Sequence, residues 1–289
     1  MAQWETSFFT GAFFCYFLAS CLYIAHLVLV NNNLGKLGTV VTGVGFISNT
    51  LAMIARTILA GHAPFANMYE FGISFVWGLV LFYLYIEYRH KSRSIGVFVL
   101  PVAFLLSGVF SAFYQEAKPL MPALKSNWLL AHVFTAVVAY GALALSFAVA
   151  LMYFWKSSME QSNGLGALGR MLPTLAELDQ IANRSIAFAM PFLTLLIITG
   201  AVWAEYAWGT YWRWDPKETW SLITWLVYAM YLHGRVAYGW QGKKAMKWAI
   251  FGFLVVLFTF IGVNLLLPGL HSYATLEFNV GHLAMLKNT

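Results

Sequence analysis

WLLAHVFTAVVAYGALALSFAVALMYFW, from Trp128 to Trp155, runs for 28 residues without a single Asp, Glu, Lys or Arg. As a helix at about 1.5 Å per residue it is longer than the ~30 Å hydrocarbon core of a bilayer. Outward from it lie seven more apolar runs: Phe8 to Val30, Leu37 to Ala60, Phe71 to Tyr88, Ser94 to Phe113, Ile186 to Trp203, Trp220 to Tyr238 and Trp248 to Pro268. The composition agrees. Of 289 residues 61% are hydrophobic and 10% charged, against about 25% charged in soluble domains. One soluble core cannot hide so much apolar surface, whereas lipid is itself an apolar solvent. The expectation is an all-α, polytopic membrane protein of eight transmembrane helices, forming one membrane domain over residues 1–289.

Lys and Arg set the orientation. The loops after spans one, three, five and seven carry eleven of them, and the opposite side carries five, with Arg56 inside span two. Both termini are therefore expected to be extracytoplasmic, in a cell inner or plasma membrane or a thylakoid membrane. The first run lacks a basic leader and reads as a span, not a cleavable signal. The net charge of +6 follows from this bias and gives no reason to invoke nucleic acid. In the long Lys156 to Arg184 loop, Leu175 to Ile181 reads as a short surface helix, and no phosphate-binding glycine motif is present. Cys15 and Cys21 are six residues apart in the first span and read as buried, inert thiols, not as a dithiol pair.

The outer segment 204–219 is different in kind. From Trp208 to Trp220, Trp208-Gly209-Thr210-Tyr211-Trp212-Arg213-Trp214-Asp215-Pro216-Lys217-Glu218-Thr219-Trp220 packs four Trp and a Tyr into thirteen residues, more than an interfacial belt requires. Indole faces suit a large flat π system, porphyrin foremost, at a half-wet site. Within it, Asp215-Pro216-Lys217-Glu218 is a capping box with Pro at the first helical position, so Asp215 is expected to cap span seven.

This segment, with Ser221 to Trp225 and Tyr231 to Arg235 after it, resembles the WWD signature of haem-handling proteins in cytochrome c biogenesis, specifically the CcsA/ResC branch of System II. Gly61 to Glu70, Gly262 to Asn264 and Gly269 to Tyr273 extend the resemblance over about Gly61 to Tyr273. It implies a haem-binding subunit of the holocytochrome c synthase. That enzyme presents haem b, as bound ligand and substrate, on the extracytoplasmic side for thioether attachment to the CXXCH segment of apocytochrome c. It also implies a CcsB/ResB-type partner, for which this chain has no room, and the involvement of thiol-reducing proteins.

His132 lies four residues into span five, about 6 Å deep, and His271 follows the outer end of span eight. By position each is an iron ligand or an interfacial histidine; the resemblance makes the two an axial pair on haem iron. His233 is about 21 Å along span seven, where an ionisable side chain is a functional hypothesis by default; the resemblance implies an inner haem site there. His26 lies at comparable depth and reads more readily as a structural histidine. His62 reads equally as packing or haem contact. Arg56 reads as pairing with Glu70 or snorkelling, or alternatively as a partner of a haem propionate. Trp208, Gly209, Trp212, Trp214, Asp215 and Trp220 complete the expected cofactor-binding set. A haem exporter or chaperone without ligation activity is the competing reading. A four-helix dihaem cytochrome is disfavoured, because no span carries two histidines.

Overall fold

The computed structural model describes residues 2–162, 166, 169, 171–267 and 269. Among the described residues there is no strand. The helices are α1 (Ala2–Val28), α2 (Asn32–Ala60), α3 (Met68–His90), α4 (Gly96–Ser111), α5 (Asn127–Gln161), α6 (Leu175–Trp208), α7 (Pro216–Tyr238) and α8 (Gly242–Leu257). The last runs through a π turn, Phe258–Gly262, into α9 (Val263–Leu266). Seven of these stretches are long and apolar enough to cross a membrane. α7 has the length, at 23 residues, but carries Lys217, Glu218 and Arg235. The eight apolar runs thus each become helix.

α5 is the centre of the bundle. Of its most apolar 18 residues, 83% are buried, against 28% for α1, α2 and α6, which turn most of their apolar side outward. It packs along α6 and against α3 and α8, while α1 pairs with α2 and leans on α4. An outward apolar face is what a lipid-facing helix requires.

α6 departs from expectation. Leu175 to Ile181 is not a separate surface helix but the first two turns of α6. Thr174 opens it with a capping box to Glu177, and Leu178, Ile181, Ala182 and Ser185 are buried at helical spacing. No Pro or Gly lies between Ile181 and Ile186 to end it. At its other end α6 continues through Trp208, so the first five residues of the tryptophan segment are helical. Cys21 is exposed on the bundle surface, contrary to the expectation that it is buried.

Arg56 is fully buried and joins the first three helices. Its Nε donates to Glu70 at 2.8 Å, its Nη1 reaches both oxygens of Glu5 at 3.4 Å, and its Nη2 donates to the Gln115 carbonyl at 2.9 Å. Every side of the guanidinium is thereby answered from within the chain, with Glu70 and not a ligand as the close partner.

Candidate functional site

A cleft opens where the ends of α5, α6 and α7 meet the π turn before α9. It encloses about 1090 Å³ of empty space, its open mouth included. Its walls are Phe65, Ala66 and Asn67 ahead of α3, Met68 at its start, His132, Val133, Ala136 and Tyr140 of α5, and Leu196, Gly200 and Trp203 of α6. Tyr211 and Trp212 line it from the tryptophan segment, Lys217, Glu218 and Ser221 from α7, and Phe260 and Asn264 from the last turns. The lining is thus mainly apolar and aromatic, with a few convergent polar groups, as small-molecule sites generally are.

His132 enters this cleft from the first turns of α5, which Ser126 caps by accepting from the Trp128 amide at 3.2 Å. Its Nδ1 lies 2.8 Å from the Leu196 carbonyl. A carbonyl only accepts, so Nδ1 is the donor, and a neutral imidazole protonated there carries its lone pair on Nε2. This is the arrangement by which a backbone carbonyl fixes the tautomer and orientation of a metal-binding histidine. α6 makes room for it at Gly200, where an added Cβ would fall 2.7 Å from His132 Nδ1. Trp203 stacks on the ring, 6.1 Å between centroids and 22° between planes, and is fastened by its Nε1–H to the Ala123 carbonyl at 3.0 Å.

The tryptophans of the segment divide their work. Trp212 lines the cleft. Trp208 packs behind the wall against Trp203, at 4.9 Å. Gly209 takes a left-handed φ of 74° as the C-cap of α6, turning the chain out of the helix without a Cβ clash. Trp214, also left-handed at φ 58°, is 69% exposed and meets Trp212 edge-on at 5.6 Å. Trp220 faces Phe258 at 4.3 Å. Among the described residues, Trp208, Trp214 and Trp220 do not line the cleft.

The capping box at α7 is present as expected. The Lys217 amide donates to Asp215 Oδ1 at 2.9 Å, and the Asp215 amide donates to Glu218 Oε2 at 3.2 Å. Glu218 Oε2 also accepts from the Arg213 amide at 2.8 Å, which ties the tryptophan segment to the helix start. Gly269 lies against this cap, since a Cβ there would fall 2.6 Å from Asp215 Oδ2. His271 lies outside the described residues. The opposite wall is held indirectly by Arg56. Glu70, its partner, accepts from the Ala66 amide at 2.8 Å, and Asn67 caps α3 by accepting from the Glu70 amide at 2.9 Å. His62 bonds the Ala63 and Lys118 carbonyls at 2.8 and 3.1 Å, pinning two loops together away from the cleft lining.

His233 is nowhere near this assembly. It is exposed on the α7 surface, with the Tyr238 ring edge-on at 5.6 Å. His26 is buried, with Nδ1 on the Asn31 carbonyl at 2.8 Å and its ring against Gly35, which bears out its structural reading. Three cleft residues escaped the sequence-based site: Trp203, Gly200 and Lys217. Lys217 was visible as part of the capping box and of the tryptophan segment that carried the family resemblance, but not as a cleft residue. Asn264, which bonds it, sits in a stretch that carried the family resemblance.

The pattern of the family described as Cytochrome C assembly protein matches residues 65–271. The chain is similar to the cytochrome c biogenesis protein CcsA of Trieres chinensis, at 38% identity over 85% of this chain and 88% of that protein. It is 39% identical to the CcsA of Pyropia yezoensis over 84% of this chain and 88% of that one. With the CcsA of Cyanophora paradoxa it shares 34% over 91% and 95%. A solved structure titled Cytochrome c Heme Lyase CcmF shares the fold, with a TM-score of 0.66 at 18% identity. That match covers 90% of this chain and 46% of the other, so this chain spans less than half of that protein's length.

Proposed function

Because this chain belongs to the cytochrome c assembly protein family and is a CcsA-type, multi-pass membrane protein of cytochrome c biogenesis, we propose that its cleft holds haem b on the extracytoplasmic side for thioether attachment to apocytochrome c. The observation that carries the reading is His132, projecting into an aromatic cleft with its ring orientation and tautomer fixed by the Nδ1 bond to the Leu196 carbonyl. An imidazole so oriented is suited to an axial position on haem iron. His271 is proposed as the second axial ligand. Trp212 offers a flat face to the porphyrin edge, while Trp208, Gly209, Trp214, Asp215 and Trp220 shape and anchor the segment that carries it.

Thioether formation needs little acid–base machinery from the protein. Each cysteine sulfur of CXXCH forms a bond to one vinyl carbon, and the thiol hydrogen ends on the other, with no net change of oxidation state. What the chain contributes is position: a fixed imidazole in an aromatic-lined cleft. Full activity is proposed to require a CcsB/ResB-type chain and thiols kept reduced by other proteins. His233, exposed on α7, is proposed as an iron ligand of a second haem site completed by that partner.

The deciding experiment is co-purification of this chain with such a partner from haem-replete cells, followed by absorbance spectra and an assay for covalent haem on a CXXCH apocytochrome. Bound haem with bis-imidazole spectra and covalent product supports the synthase. Bound haem delivered without a thioether supports a carrier, and absence of haem from the wild-type complex sinks the reading.

A further inference from the structure

Lys217 stands where a lysine is not expected. It is the second residue of α7, and the first turn of a helix favours acids, because the unpaired amides there carry partial positive charge. The side chain is half-buried. It turns into the cleft, where its Nζ donates to Asn264 Oδ1 at 2.8 Å and lies 5.3 Å from the centre of the Phe260 ring. It precedes the apolar run that begins at Trp220. Desolvation there draws its ammonium down to about 8, against the opposing pull of Asp215.

An ammonium withdrawn from water ordinarily has an anionic partner. Arg56, the other enclosed cation near this end of the bundle, has Glu70 and Glu5. Lys217 donates to the neutral amide of Asn264 and feels the Asp215 carboxylate only through space, and among the described residues no carboxylate forms an ion pair with it. Glu218 lines the same cleft, but its Oε2 is drawn back to the helix end by the Arg213 and Asp215 amides. Lys217 is also the one Lys or Arg among the described lining residues. Among the described residues the cleft therefore presents one Lys or Arg cation, pre-set by Asn264 and with no carboxylate in ion-pair contact.

We propose that Lys217 is the carboxylate-binding subsite of the cleft, receiving a propionate of the haem whose iron His132 holds. The proposal rests on the haem reading above and adds to it which edge of the porphyrin is anchored at α7.

The test compares haem with its dimethyl ester, which keeps the ring, iron and vinyl groups and loses both negative charges. Each is titrated in detergent onto the full-length chain stripped of haem, with absorbance as the readout. The wild-type chain is expected to bind free-acid haem about 10-fold or more tightly than the diester, as loss of a charge-assisted hydrogen bond implies. Lys217→Met should bind both forms alike, with the axial spectrum of bound haem unchanged, and Lys217→Arg should keep the preference. Wild-type affinities within about twofold of each other would overturn the subsite while leaving haem binding intact, and this comparison needs no variant to fold. A preference retained in Lys217→Met would overturn it equally. Failure of the wild-type chain to bind either form would remove the haem reading and the subsite together.

Discussion

His132 and His233 are both imidazoles on membrane helices, yet the chain surrounds one and abandons the other. His132 has a carbonyl on Nδ1, an indole stacked on its ring and a glycine cut away to admit it. His233 stands exposed on α7 with one tyrosine edge beside it. The two lie at opposite ends of one connected structure, because α7 starts at the cleft and reaches His233 about 25 Å later. An imidazole facing lipid is costly. The difference teaches that this chain builds the surroundings of His132 itself, whereas on the proposed reading His233 needs a cover from elsewhere. On the proposed reading the cover is the partner's, and the missing ligand comes with it.

The largest expected effect tests that asymmetry directly. His132→Gly should strip haem from the chain purified alone, and added imidazole should restore it by occupying the vacated axial position. His233→Gly should leave haem in the isolated chain untouched and remove a haem only from the complex with the partner, again with rescue by imidazole. His26→Ala should change neither, since that ring is spent on the Asn31 carbonyl. Spectra of the isolated chain and of the complex, recorded for all three variants, read this out. Equal loss from the isolated chain in both glycine variants would break the comparison.

A second perturbation sharpens it at the orienting bond. Gly200→Ala places a methyl 2.7 Å from His132 Nδ1, so the ring or α6 must shift. Overpacking of this kind costs about 1–3 kcal/mol. The expected signature is a lowered haem affinity with an altered axial spectrum. Gly43→Ala on α2, where a Cβ meets nothing within 4 Å, is the silent control. An unchanged spectrum in Gly200→Ala would mean that the Leu196 carbonyl does not set the ligand.

Much of this was legible in the sequence, and the boundary is physical. Apolar runs announce helices because the signal is local, and the capping box at Asp215 is written in four consecutive residues. The site was legible only in part. Trp203 looked like the end of a span, because nothing nearby in sequence says that His132, 71 positions earlier, will lie under it. Gly200 matters only through a ring from another helix, and Lys217 only through Asn264, 47 positions later. The tryptophan density marked a segment that reaches the cleft, yet it did not say that Trp212 lines it while Trp208 and Trp220 pack elsewhere, since that depends on how Gly209 and Trp214 turn the backbone. The joining of Leu175 to Ile181 with span six was available in principle, because no breaker separates them.

Trp212 and Trp214 supply a finer test of which aromatic groups belong to the enclosed end. They are two residues apart, but Trp212 lines the cleft and Trp214 is 69% exposed. Stacking of a flat heterocycle on an aromatic side chain is worth about 1–3 kcal/mol by alanine substitution. Trp212→Ala is expected to lower haem occupancy by that measure without changing the axial spectrum, because indole supplies no iron ligand. Trp214→Ala should have the smaller effect in the isolated chain. Reversal of that order, in haem titrations of the two variants, would place the porphyrin on the outer surface instead of in the cleft.

The smallest effect concerns the hinge between the two ends. Asp215 caps α7 through the Lys217 amide and receives Glu218 in return, so it fixes where the tryptophan segment meets the helix that carries His233. Removing such a cap costs about 0.5–2 kcal/mol. Asp215→Ala should therefore lower the unfolding temperature of the chain in detergent and reduce haem occupancy modestly, with the spectrum of the remaining haem unchanged. Asp215→Asn should recover most of both losses, since an amide oxygen caps nearly as well as a carboxylate. The contrast with His132→Gly is the point of the measurement: one change acts on the iron, the other on the frame. If Asn proves as damaging as Ala, the negative charge and not the cap is what the cleft needs there. Asp215 would then stand with Lys217 among the charged groups of the site, rather than with Gly209 among the residues that shape the chain around it.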